Sequence, residues 1–126
     1  MEKVRVVVAN EPRAYREAIG TVMRELRPDV EVVTVEPGDL DDEVFRCPPL
    51  LVVCSRLTDA VLAYCKSWIA LYPNGESHAE ISIGGRFITL ADVAFDALMS
   101  LLDEAVAFGK PRGDLSQQRP SSWPPR

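Results

Sequence analysis

With 126 residues, 47% of them hydrophobic, the chain is long enough to bury one ordinary core and too short to require two. Its net charge of −5 hides an asymmetry, because residues 110–126 hold Lys110, Arg112, Arg119 and Arg126 against Asp114, a sum of +3, which leaves −8 on residues 1–109. So acidic a body argues against non-specific nucleic-acid binding, which needs several basic side chains on one face, and the apolar runs are all shorter than the roughly 18 residues of a membrane span.

Met1-Glu2-Lys3 leads straight into apolar sequence without a signal-peptide pattern, so a cytoplasmic location is expected. Cys47, Cys54 and Cys65 are an odd number with no C-x-x-C pair, which points to reduced thiols and away from a metal cluster or a disulfide framework.

Val4–Ala9 is an almost unbroken β-branched run, and the polar turn Asn10-Glu11-Pro12-Arg13 follows it. That pattern predicts a central strand of a parallel sheet, covered on both faces, whose C-terminal end borders any site. Tyr15, Ala18, Ile19, Val22, Met23 and Leu26 recur at three- and four-residue spacings and predict a helix from about Arg13 to Arg27, stopped by Pro28. Val30–Val35 reads as a second strand, and Pro37-Gly38-Asp39 as a turn. Asp41-Asp42-Glu43 resembles a cluster of metal ligands, but Leu40 and Val44 are four apart, and acids at the start of a short helix complement its dipole. No metal and no cofactor is expected.

Leu50–Cys54, entered through Pro48-Pro49, is the second continuous apolar strand, and Ser55-Arg56-Leu57-Thr58 is its exit loop. Thr58 or Asp59 caps a helix in which Val61, Cys65, Trp68, Ile69 and Tyr72 form a stripe, ending at Pro73-Asn74-Gly75. From Ala79 the period changes to two: Ala79, Ile81 and Ile83 share a face, Gly84-Gly85 makes a tight turn, and Ile88 and Leu90 continue in register, a hairpin. Thr89-Leu90-Ala91-Asp92 has capping-box spacing and is read as opening a last helix, with Ala94, Leu98, Leu101, Ala105 and Phe108 on its core face. Gly109-Lys110-Pro111 closes it. The expected organisation is an α/β domain over residues 1–110 and a flexible, proline-rich tail over 111–126. Right-handed crossovers give a five-stranded, mostly parallel sheet of order 2-1-3-4-5 with the last strand antiparallel, a flavodoxin-like three-layer sandwich with a C-terminal hairpin and final helix.

Val8-Ala9-Asn10-Glu11-Pro12 followed by Arg16-Glu17, together with Pro48-Pro49-Leu50-Leu51-Val52-Val53-Cys54, resembles the first and third strands of response-regulator receiver domains over about residues 3–58. The resemblance implies a receiver-like fold and a place in signal transduction. Its chemistry is missing. Receivers hold Mg²⁺ through an acid pair and a phosphoacceptor aspartate; this chain puts Ala9 and Asn10 at the pair and Cys54 or Ser55 at the aspartate, leaving Glu11 as the acid there. Lys110-Pro111 imitates the family's Lys-Pro dipeptide but follows a helix.

These residues lead to a non-enzymatic pseudo-receiver that works through a protein partner or as a homodimer. The expected interaction surface is the edge strand Arg86–Leu90 with Phe95, Met99, Leu102 and Val106, apolar residues beyond those that one buried stripe of the last helix needs. The alternative is a small-molecule or anion-binding domain, or a cysteine-dependent enzyme, with its pocket at Asn10, Glu11, Cys54, Ser55 and Thr58. His78, the single histidine, lies in a polar loop without a Ser or Cys at a motif spacing to activate, and is read as a surface residue.

Overall fold

The computed structural model describes residues 4–72 and 78–109. The expected turn at Pro73-Asn74-Gly75 and the segment from Lys110 onward, including the proline-rich tail, lie outside the described residues.

The apolar run at the N-terminus forms β1 (Val4–Ala9), and helix α1 (Arg13–Leu26) follows. Then come β2 (Val30–Thr34), a 3₁₀ turn at Pro37–Asp39, α2 (Leu40–Arg46) and β3 (Leu51–Cys54). The second half holds α3 (Asp59–Tyr64), β4 (Ser67–Leu71), β5 (Ala79–Ile83), β6 (Arg86–Leu90) and α4 (Phe95–Gly109). The strands form one mixed sheet of order β2-β1-β3-β4-β5-β6, parallel from β2 to β4 and antiparallel across β4, β5 and β6.

Alternation along β1 assigns the two cores. Val6 and Val8 face the side covered by α1 and α4, where Ile19, Met23, Leu98 and Leu102 pack on them. Val7 and Ala9 face the other side, with Leu40 and Val44 of α2 and Ala60 and Val61 of α3. Burial on both faces is what the uninterrupted apolar stretch from Val6 to Ala9 requires. On α1, Ile19 and Met23 are buried and Tyr15 and Val22 pack at the margin, while Leu26 is exposed. No helix among the described residues is long and apolar enough to cross a membrane.

The expected five-stranded sheet is corrected to six strands. The stripe Val61, Cys65, Trp68, Ile69 and Tyr72 does not lie on one helix: α3 ends at Tyr64, and Ser67–Leu71 is a fully buried strand inserted between β3 and the hairpin. A short apolar run satisfies helical and strand spacing equally. Here β3 offers an edge that only a strand can pair, and the aromatic and β-branched content of Ser67–Leu71 favours the strand.

The hairpin falls where the alternation places it, with Ile83 opposite Arg86 and both turn glycines at positive φ, 61° and 87°. The capping box at Thr89–Asp92 does not form, because Thr89 belongs to β6 and α4 starts only at Phe95. The proposed outer face of α4 is also corrected. Met99 and Leu102 are buried in the core beside Leu98, Leu101 and Ala105, Val106 is half-buried, and Phe95 stays exposed. The width of the sheet is the reason: β4, β5 and β6 need covering on this side, and α4 is the element that spans them with α1.

Candidate functional site

The site that the sequence points to is at the C-terminal ends of β1 and β3, which the register brings side by side with Ala9 opposite Cys54. Asn10, the next residue after β1, is fully buried, and Glu11 is exposed. Ser55, the next residue after β3, ties the two strand ends together: its Oγ accepts the Glu11 backbone N–H at 2.9 Å and the Asn10 side-chain amide at 3.4 Å. With two N–H donors on its oxygen, the hydroxyl hydrogen of Ser55 is left to donate elsewhere. The Asn10 side-chain oxygen is buried without a hydrogen-bond partner among the described residues.

The carbonyl of Asn10 is held from the other side by Arg16, whose guanidinium donates to it at 3.2 Å and to Glu36 at 3.1 Å. Arg16 is 5% exposed on an otherwise amphipathic α1. Its charge is reconciled with burial by that ion pair and that carbonyl.

Cys54 is brought into this place and buried there, 1% exposed. Burial is the main cause that pushes its thiol up to about 12, against a smaller opposing hydrogen bond from the backbone of Arg56. Cys65, behind it in the same core, is raised to about 11 by burial alone. Thr58 is spent on folding, because its Oγ1 accepts the Val61 N–H at 3.2 Å and caps α3.

Two shallow cavities open on this end. One, of about 340 Å³, is lined by Glu11, Pro12, Tyr15, Ser55, Arg56, Leu71 and Tyr72. The other, of about 310 Å³, has Pro37, Gly38, Leu40 and Thr58 on its far wall and shares Glu11, Ser55 and Arg56 with the first. Of the residues expected at the pocket, Glu11 and Ser55 therefore line both cavities and Thr58 one; Asn10 and Cys54 are buried and line neither.

Arg56, Tyr15 and Tyr72 were missed as pocket residues. Arg56 is visible in sequence as the basic residue between Ser55 and Thr58, but Tyr72 reaches the site only because β4 runs beside β3. Tyr72 adopts a left-handed φ of 53°, and its hydroxyl meets both the N–H of Val93, at 3.3 Å, and the carbonyl of Val93, at 3.4 Å. Its ring lies 6.4 Å from that of Tyr15, whose hydroxyl is pushed up by burial.

In the acidic run of α2 Glu43 is ion-paired, whereas Asp41 Oδ1 is buried without a hydrogen-bond partner among the described residues. Glu43 binds Arg5 and Arg46, and Asp41 and Asp42 stand in the first turn. Among the described residues no three His, Cys, Asp or Glu side chains are gathered in a way that could hold a metal ion. His78 is half-buried, with Nε2 3.3 Å from a Glu80 carboxylate oxygen. Comparison of the chain with family models, with curated proteins and with solved structures finds no match.

Proposed function

We propose that the chain is a receiver-like signalling module, flavodoxin-like in its arrangement, that is not phosphorylated and acts through protein contacts. The observation that carries this reading is the Ser55 hydroxyl, which joins the Glu11 amide and the Asn10 side chain where the resembled family keeps an acid pair and an acceptor aspartate. Neutral hydrogen bonds thus occupy the place of a charged, metal-binding cluster. Such a strand-end joint needs no dication to neutralise it, and what the domain presents to other molecules is surface.

Incubation with acetyl phosphate and Mg²⁺, followed by intact mass measurement, tests this. The expected result is an unchanged mass, and stoichiometric phosphorylation that hydroxylamine removes, as it does an acyl phosphate, overturns the proposal.

A second reading is a small-anion or small-molecule site in the paired cavities. It is favoured by Arg56, which lines both cavities and has no ion pair among the described residues, and by the hydroxyl hydrogen of Ser55. Thermal-shift titration with phosphate, sulfate and short carboxylates tests it, and an Arg56→Ala variant should abolish any stabilisation. The cysteine-enzyme version is disfavoured, since burial raises the Cys54 thiol to about 12 and so penalises the thiolate that a nucleophile needs.

A further inference from the structure

The two edges of the sheet are finished differently. At the β2 edge, Arg24 donates through Nε and Nη2 to the Val32 carbonyl, at 3.3 and 3.2 Å, and Glu31 stands exposed. At the β6 edge nothing comparable occurs: no backbone or side-chain hydrogen bond reaches the main chain of Phe87 or Thr89 from beyond the sheet among the described residues. Nor does β6 carry the usual guards of an open edge, since Arg86-Phe87-Ile88-Thr89-Leu90 has no proline or lysine and pairs with β5 without a bulge.

The direction of the free groups follows from the turn. In a two-residue hairpin with both turn residues at positive φ, the closing pair, here Ile83 and Arg86, exchanges its backbone hydrogen bonds. Alternation then gives Arg86, Ile88 and Leu90 to β5 and turns the N–H and C=O of Phe87 and Thr89 outward.

The sheet face beside this edge is open as well. α2 and α3, of seven and six residues, cover β1, β3 and β4 on their side, and neither reaches the hairpin. A row of registered residues, Val52, Trp68, Ser82 and Phe87, crosses from the covered part to the uncovered part. Trp68 is 9% exposed and Phe87 is 57% exposed, with their rings edge to face at 6.1 Å.

We propose that β6 pairs with β6 of a second copy of this chain, antiparallel across a two-fold axis at Ile88. This rests on reading the chain as an interaction module, and it names the partner. With the axis at Ile88, Phe87 stands opposite Thr89 of the other copy, so the two outward-directed residues of each strand meet and exchange their N–H and C=O groups. Phe87 then packs beside the other copy's Thr89 on the open face, and the two sheets become one.

Charge permits the arrangement. Arg86 is the only charged residue of β6, is paired with Glu104 of its own chain at 2.7 Å, and falls opposite Leu90 of the other copy. The area sets its strength. A five-residue strand runs about 17 Å, and pairing it alone falls short of the ~800 Å² per partner of a standard interface, so the exposed ring of Phe87 must supply apolar contact. The net charge of −5 on each copy opposes association, and added salt should therefore tighten the dimer.

Sedimentation equilibrium on the full chain tests the pairing. The weight-average mass should climb from 14.0 kDa toward twice that value between about 1 and about 100 µM. Phe87→Lys and Thr89→Pro should each hold the chain monomeric with an unchanged circular dichroism spectrum, whereas Phe45→Lys, at the exposed aromatic of α2, should leave the dimer in place. A chain that is monomeric at the top of the range overturns the proposal, as does a dimer that survives Phe87→Lys or is lost only in Phe45→Lys. Should Thr89→Pro unfold, amide exchange on the unaltered chain replaces it: protection of the Phe87 and Thr89 amides must rise with concentration. The outcome is separable from the phosphorylation test. A monomer that takes no phosphate refutes the pairing alone, and a dimer that is phosphorylated refutes the unphosphorylated module alone.

Discussion

At the scale of single residues, Cys54 illustrates how position overrides residue type. At the carboxyl end of a central strand a cysteine is a candidate nucleophile, yet its 1% exposure inverts the chemistry by penalising the thiolate. The linkage to stability has a definite sign. A thiol raised from 9.0 to about 12 in the folded chain contributes stability that is complete below pH 9, and that stability is lost as pH climbs toward 12. Cys65, raised to about 11, adds to the same alkaline limb. Urea denaturation from pH 7 to 11 should therefore show stability falling above pH 9, with a shallower fall in Cys54→Ala even though the cavity lowers its baseline. An equal slope in both proteins would contradict the burial argument. Ser55 is the opposite case, an ordinary loop residue in sequence that becomes the joint between β1 and β3 through its two accepted hydrogen bonds.

At the scale of elements, the hairpin turn and the end of α4 are fitted to each other. A Cβ at Gly84 would approach the ring of Phe108 to 2.5 Å, while one at Gly85 would meet open space, although both glycines have positive φ. A left-handed conformation costs an alanine about 1–2 kcal/mol at either position, and at Gly84 the Phe108 ring must also leave its seat. Phe108 is half exposed and can swing away, so the added cost is the packing that it loses. Gly84→Ala should lower the unfolding free energy by about 1 kcal/mol more than Gly85→Ala, measured as the difference in urea midpoint at constant slope. Equal effects would mean that Phe108 is not seated on the turn. Gly109 has a similar relation to Leu50, where a Cβ would overlap the leucine side chain. The carboxyl end of α4 is thereby packed closely against Leu50, just ahead of β3.

At the scale of the whole molecule, the described residues build two cores, one between the sheet and α1 and α4, the other between the sheet and α2 and α3. Residues from Asp114 onward offer Leu115 and Trp123 as their large apolar groups among prolines and polar residues, too few to build further core. A chain ending at Arg112 should therefore melt within about 2 °C of the parent in a calorimetric scan. A loss of several degrees would require Trp123 to be packed against the domain or a neighbouring copy.

What the sequence determined by itself was set by strong local patterns. β1 is central because its residues are apolar at every position but Arg5, and no other run could be buried on both faces so early in the chain. The hairpin is legible because two glycines between alternating runs admit few other conformations. The strand ends that form the site were legible for the same reason, since a buried parallel strand must end near polar loop residues such as Asn10 and Ser55. Tertiary structure decided the rest. Ser67–Leu71 fits a helix and a strand equally by spacing, and the free edge of β3 made it a strand, which also carried Tyr72 to the pocket. Met99 and Leu102 are surplus apolar residues on an isolated helix and necessary ones beneath a six-stranded sheet, because the breadth of the face that a helix must cover is fixed by the strands that pair and not by the helix itself.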